Sequence, residues 1–204
     1  MELFLNKLFQ SFVQIIVFSL LPFIWWLIIN RRKDNFFQWI GFKKIISVKN
    51  NIQIYLLMII GVIIFSVNGV FILYIMRDIP LATSEFSGLG FNGLPAAIIY
   101  AVFNTSLPEE ILFRGFILKR LMNKIGHFVG NIIQSILFGC LHIILLINII
   151  DVIKLIIILF FTSSIAFYIG YINEKRANGS IIPGWIMHGI ANILSSVIAL
   201  FLLI

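Results

Sequence analysis

Long apolar runs alternate with short polar stretches along this chain. Six runs stand out, at about residues 12–29, 52–76, 95–120, 128–150, 152–172 and 181–204. Each is close to the ~20 residues a helix needs to cross a bilayer core. Pro22 kinks the first run, and Trp25 and Trp26 lie near its end, where interfacial aromatics belong. Residues 30–51 read as a polar loop, and 77–94 as a loop rich in Gly, Pro and Ser. Asp151 and Lys154 mark a tight turn, and 173–180 a compact polar one. Pro108, just before Glu109, predicts a bend or restart in the third run.

Composition agrees with this pattern. The chain is 61% hydrophobic and 11% charged, with mean hydropathy +1.09. Soluble domains are nearer half apolar and a quarter charged. The expectation is an all-α, polytopic transmembrane helical bundle of about six spans, and no more than eight helices, around a polar intramembrane cavity. Residues 1–94 form an N-terminal transmembrane hairpin with its loops, and 95–204 the core, in one integral membrane unit. The first run is not a signal peptide, since Arg31, Arg32 and Lys33 follow it rather than precede it. Cys140 is the single cysteine, so no internal disulfide and no thiolate metal cluster forms.

The net charge of +7 does not point to nucleic acid, because the cations cluster between apolar runs. Lys/Arg bias in loops sets orientation. With 30–51 in the cytoplasm, the inner loops hold Arg31, Arg32, Lys33, Lys43, Lys44, Lys49, Lys119, Arg120, Lys124, Lys175 and Arg176. The outer side holds Lys7, Arg77 and Lys154, so the N-terminus lies outside. The cavity is expected to open toward the cytoplasmic side. A composition rich in Ile, Phe, Asn and Lys suits an AT-rich bacterial genome, hence a bacterial cell membrane.

Three charges interrupt the third run: Glu109, Glu110 and Arg114. Ionisable groups at membrane depth are expensive and mark function. On a helix, Glu110 and Arg114 are four apart, acid first, the favourable order for an ion pair. Glu109 lies about 100° round the helix and projects alone. A free, partly desolvated carboxylate is a candidate general base or acid. Phe138 and His142 share a face of the fourth run, and His188 and Asn192 a face of the sixth. At ~1.5 Å per residue, Glu109, His142 and His188 lie roughly 15, 21 and 11 Å from the basic boundary, compatible with one site. His127 sits at a loop edge and reads as a bystander. Gly115, Gly139, Gly170, Gly184 and Gly189 allow close helix approach.

The ordered set Glu109-Glu110-x-x-x-Arg114, Phe138-x-x-x-His142 and His188-x-x-x-Asn192 resembles the CAAX prenyl protease and bacteriocin-processing (CPBP, or Abi) family of intramembrane proteases. The stretch Asn178-Gly-Ser-Ile-Ile-Pro-Gly-Trp-Ile-Met-His188 is similar to that family's approach to its third motif. The likeness covers about residues 95–198, which would be the catalytic core. It implies an intramembrane endopeptidase in which Glu109 and His142 activate water. His188 and Asn192 would stabilise the oxyanion or bind a metal, while Glu110, Arg114 and Phe138 shape the site.

The residue set leaves the metal open. Glu109, His142 and His188 could bind a divalent ion such as zinc with an open position, or act without one. No His-Glu-x-x-His helix is present. The expected partners are a peptide or protein substrate, membrane-anchored or prenylated, and the lipid bilayer, with no nucleic acid. The alternatives are a non-catalytic bacteriocin-immunity or peptide-binding membrane protein, or a proton-coupled transporter component.

Overall fold

A computed structural model describes residues 1–48 and 50–203, with only the backbone of Asn51. Lys49 of the basic loop and Ile204, which ends the sixth expected span, lie outside the described residues. Every regular element among the described residues is helical. The main helices are α1 (Glu2–Ile29), α2 (Phe36–Ile40), α3 (Asn51–Ile75), α4 (90–125), α5 (His127–Ile144), α6 (Val152–Tyr171) and α7 (Ile182–Leu200). A 3₁₀ turn, Ala82–Phe86, precedes α4, and a π turn, Ile172–Arg176, continues α6.

Five helices are long and apolar enough to cross a membrane: α1, α3, α5, α6 with its π turn, and α7. The chain is therefore a multi-pass membrane protein with an all-helical bundle. The third expected span falls within α4, which carries Glu109, Glu110 and Arg114. Helix α4 starts at Gly90 rather than near residue 95, so the loop before it is shorter than its turn residues suggested. Helix α1 likewise begins ten residues earlier than its apolar run, at Glu2.

Pro108 neither breaks nor restarts α4. The helix passes through two π stretches instead, Tyr100–Ser106 and Glu110–Leu118, on either side of the α turn Leu107–Glu109. A π turn absorbs an extra residue and frequently marks a functional segment. Pro108 occupies the first turn of that α piece, among backbone N–H groups that the wider helix has already re-registered.

Two sets of contacts fix the ends of the bundle. At one end, Lys119 pairs with Glu174 at 2.6 Å and donates to the Gly179 carbonyl at 2.8 Å. There the Ile181 N–H donates to the Gly41 carbonyl, and the Ser180 hydroxyl to the Lys43 carbonyl. Gly41 ends α2 at φ +87°, and a side chain there would strike the Gly179 carbonyl. At the other end, Lys7 of α1 pairs with Glu85 of the 3₁₀ turn, and Phe86 is buried against Ala96, Ala97 and Leu200.

Between the ends, α5 and α6 pack face to face through polar side chains. Asn131 Nδ2 donates to the Phe167 carbonyl at 2.8 Å, and Gln134 Nε2 to that of Ala166 at 3.2 Å. In lipid, where apolar packing gives helices no preference for one another, such bonds and small residues carry association. Gly170 lies directly against Asn131. A Gly170→Val substitution is expected to overpack this seam and destabilise the protein by about 1–3 kcal/mol. Thermal unfolding in detergent checks it, and an unchanged Tm would show that the seam yields freely.

Candidate active site

Arg114 and Glu110, one turn apart on α4, form an ion pair of 3.0 Å with both side chains fully buried. The guanidinium also lies over the Phe138 ring of α5, 4.4 Å from its centroid. That aromatic face partly replaces the hydration a buried cation gives up. The i,i+4 pairing read from the sequence is thus present. Glu110 has a further partner that helical spacing could not reveal: His188 Nδ1 of α7, 3.3 Å from the same oxygen, Oε1. Gly184, one turn before His188, packs against Ile169, Asn173 and Glu110 with no room for a methyl group. A glycine there lets α7 approach close enough for His188 to reach the carboxylate.

A carboxylate only accepts from a ring nitrogen, so Nδ1 of His188 carries a proton and donates to Glu110. Its other nitrogen, Nε2, lies 3.7 Å from Glu109 Oε2. Glu109 remains 18% exposed and His188 11%, whereas Glu110 is sealed. Glu109 Oε2 has no hydrogen-bond partner among the described residues. The free carboxylate and the paired one are therefore adjacent in sequence but opposite in environment.

His142 follows the same logic. Its Nδ1 lies 2.9 Å from the Phe138 carbonyl, which can only accept, so Nδ1 carries the proton. The Nε2 lone pair of the neutral ring is left free. Phe138 packs against His142 with centroids 4.6 Å apart, against His188 at 6.0 Å and against Phe113 at 5.0 Å. It is a common wall for both imidazoles and for Arg114.

Glu109, His142, His188 and Asn192 all line one cavity of about 260 Å³, together with Tyr100, Thr105, Ser195 and Leu145. Ala82 and Thr83 of the 3₁₀ turn complete its wall. Thr105, Tyr100 and Ser195 were not anticipated from the sequence; Thr105, in the polar stretch Asn104-Thr-Ser106 just before the acidic pair, was the available signal. His127 is not among the lining residues.

The loop residues that line the cavity come from one end of the bundle. Ala82, Thr83 and Leu145 belong to the end of the bundle away from the basic loops. At the basic end Lys119, Glu174 and Gly41 are joined by a ring of contacts, and none of them lines the cavity. Loop charge reports which way the chain crosses, whereas an opening depends on which loops pack against each other.

Among the described residues no three His, Cys, Asp or Glu side chains come together in a way that could hold an ion. Both imidazoles give Nδ1 to protein acceptors, which leaves Nε2 as the ring nitrogen each has to offer.

A family model, type II CAAX prenyl endopeptidase Rce1-like, matches residues 91–194, just over half of the chain. The match runs from the first turn of α4 to two residues past Asn192, so it spans Glu109, Glu110, Arg114, Phe138, His142, His188 and Asn192. Searches of curated proteins and of solved structures gave no match.

Removing one member of the buried cluster should be costly. Glu110→Ala strands Arg114 and the Nδ1–H of His188, and is expected to destabilise by about 3–5 kcal/mol. Glu110→Leu combined with Arg114→Met removes both charges and is expected to recover most of the yield. Monodisperse protein recovered in detergent measures both, and equal loss in the two would argue against an energetically coupled pair.

Proposed function

The chain belongs to the Rce1-like family of type II CAAX prenyl endopeptidases, and on that premise we propose that it is an intramembrane endopeptidase working through a water molecule activated by Glu109 and His142. The observation that carries this reading is the convergence of Glu109, His142, His188 and Asn192, from three helices, on one cavity.

Hydrolysis of a peptide bond needs a base for water, stabilisation of the oxyanion and a proton for the leaving amine. Glu109 suits the first and third roles. Its side chain is partly exposed and lines the cavity, so it can take a proton from water and return it to the amine. The free Nε2 of His142 accepts a hydrogen bond from that water's other O–H, which the water keeps, and so holds it in line. His188 suits the second role. With Nδ1–H held by Glu110, the imidazolium form keeps a second N–H, on Nε2, for this task. Its Nε2 then donates to the oxygen on which charge develops. Arg114 and Glu110 hold that ring in place and do not touch substrate. No step calls for a metal ion.

The substrate is a peptide or protein segment held at the membrane. The Lys/Arg bias puts the basic end of the bundle in the cytoplasm. The end of the cavity walled by Ala82 and Thr83 then faces the opposite side. That orientation favours an exported or membrane-anchored peptide over a prenylated cytoplasmic tail.

Glu109→Gln is expected to lower cleavage by about 10³-fold while the protein inserts and folds normally. Membrane proteomes from cells carrying the active protein and the Glu109→Gln variant should differ in uncut species, and a fully active Glu109→Gln variant would end the peptidase reading. Orientation is checked separately, in a Cys140→Ser background. A membrane-impermeant thiol reagent applied to intact cells should label Ala82→Cys and leave Lys44→Cys unlabelled. The reverse pattern would put the Ala82 end in the cytoplasm and restore the prenylated tail.

A further inference from the structure

The segment between α1 and α3 carries cations and exposed apolar side chains together. Short helix α2 is anchored by Ile40, which packs with Leu107, Ile111 and Ile181. Past Gly41 the chain runs beside the 174–181 loop and is bonded to it. The Ile181 N–H donates to the Gly41 carbonyl, Ser180 Oγ to the Lys43 carbonyl and the Val48 N–H to the Arg176 carbonyl. The backbone that bears Lys43 and Lys44 is thereby fixed. Around those lysines Phe37, Phe42, Ile46 and Val48 remain 36–59% exposed. Outward apolar side chains mixed with cations at the end of a bundle belong to the bilayer interface.

A cavity of about 550 Å³ lies beside this segment, lined by Lys43, Lys44 and Lys119 with Gln38, Trp39, Ile46 and Asp34. Three cations share it with one acid, and that acid is engaged: Asp34 Oδ2 accepts from Asn30 Nδ2 at 2.6 Å. Glu174 pairs with Lys119 at 2.6 Å. A side chain at Gly179 would begin 3.0 Å from Lys119 Nζ, 3.4 Å from Glu174 Oε2 and 3.8 Å from Lys43 Nζ. Two ammonium groups thus crowd one carboxylate over a glycine. Among the described residues Lys43 and Lys44 form no ion pair. Arg120, next along α4, lies over the Trp39 ring at 4.1 Å, and its buried Nε has no hydrogen-bond partner among the described residues. Like charges gathered this closely repel unless an anion joins them.

We propose that this cavity binds the phosphodiester headgroup of an anionic phospholipid, with Lys43, Lys44 and Lys119 on the phosphate and Phe42 and Ile46 along the acyl chains. Basic pockets between helices at a membrane face take such headgroups. The exposed apolar neighbours select a lipid over a soluble anion, which would leave them uncovered. A zwitterionic lipid brings its own cation and leaves the excess charge in place. The bound lipid would tie the 41–48 segment to α4 and to the loop that leads into α7, so it acts first on stability. The site shares no residue with the cavity that holds Glu109. It stands on the cations and their apolar surroundings, independently of the endopeptidase reading.

The full-length protein in detergent, titrated with dioleoyl phosphatidylglycerol or dioleoyl phosphatidylcholine and read by native mass spectrometry, tests the assignment. The first phosphatidylglycerol is expected to bind at least about tenfold more tightly than phosphatidylcholine. It should also raise the unfolding temperature, as any ligand of the folded state does. Lys43→Gln with Lys44→Gln should weaken it about thirtyfold, the effect of two basic residues at an anionic headgroup. Lys43→Arg with Lys44→Arg keeps the charge and should bind like the unaltered chain. Arg31→Gln with Arg32→Gln removes as much charge from exposed positions outside the cavity, and should leave the affinity unchanged.

Equal affinity for the two lipids, or binding indifferent to the Lys43 and Lys44 changes, overturns the site. So does an equal loss in the Arg31 and Arg32 variant, which would make the lipid's partner the whole basic surface. Inorganic phosphate at the same concentration as the lipid is the third arm. It brings no acyl chain and is expected not to compete. Competition as strong as that of a second phosphatidylglycerol would assign the cavity to a soluble phosphate and overturn the lipid. The lipid comparison and the phosphate competition use the unaltered chain, so they decide the question even where a variant folds poorly.

Discussion

The buried carboxylate of Glu110 is the constraint around which the membrane core of this protein is arranged. An ionised carboxylate withdrawn from water is costly unless it is paired and hydrogen-bonded. Arg114 supplies the charge from the next turn of α4, and His188 supplies a directed N–H from α7. Phe138 of α5 lies over the guanidinium and beside both imidazoles. Three helices are thereby held to one point. None can rotate or slide by a turn without leaving a charge unpaired in a low dielectric.

That arrangement explains how two neighbouring glutamates come to differ. Glu110 is used up in holding the helices together, and this fixes the rotation of α4. Glu109, one position earlier, must then face the cavity. The same rotation is sustained by the two π stretches, which let α4 carry Pro108 and turn its hydroxyls toward α7. Asn192 and Trp185 meet the first of these stretches, so the widened backbone provides bonding surface as well as a change of register.

The cavity is asymmetric for a different reason. At the basic end, loop segments 41–48 and 174–181 bond to one another and to Lys119. At the far end, the 3₁₀ turn is held on its outer side by Lys7 and Phe86, and its inner side becomes a wall of the cavity.

Much of this was legible in the residues. Apolar runs of spanning length dictate helices in lipid because no other open structure satisfies the backbone there. Spacing of four put Glu110 beside Arg114, and the ordered Glu, His and His-x-x-x-Asn motifs gave the family. Local spacing could not supply relations between helices. That His188 bonds Glu110, that Asn192 bonds Thr105 and Ser106, and that Ala82 and Thr83 wall the cavity all depend on how the helices rotate against one another. Those rotations are set by desolvated polar groups finding partners far along the chain, and only the packed structure decides which partners they find.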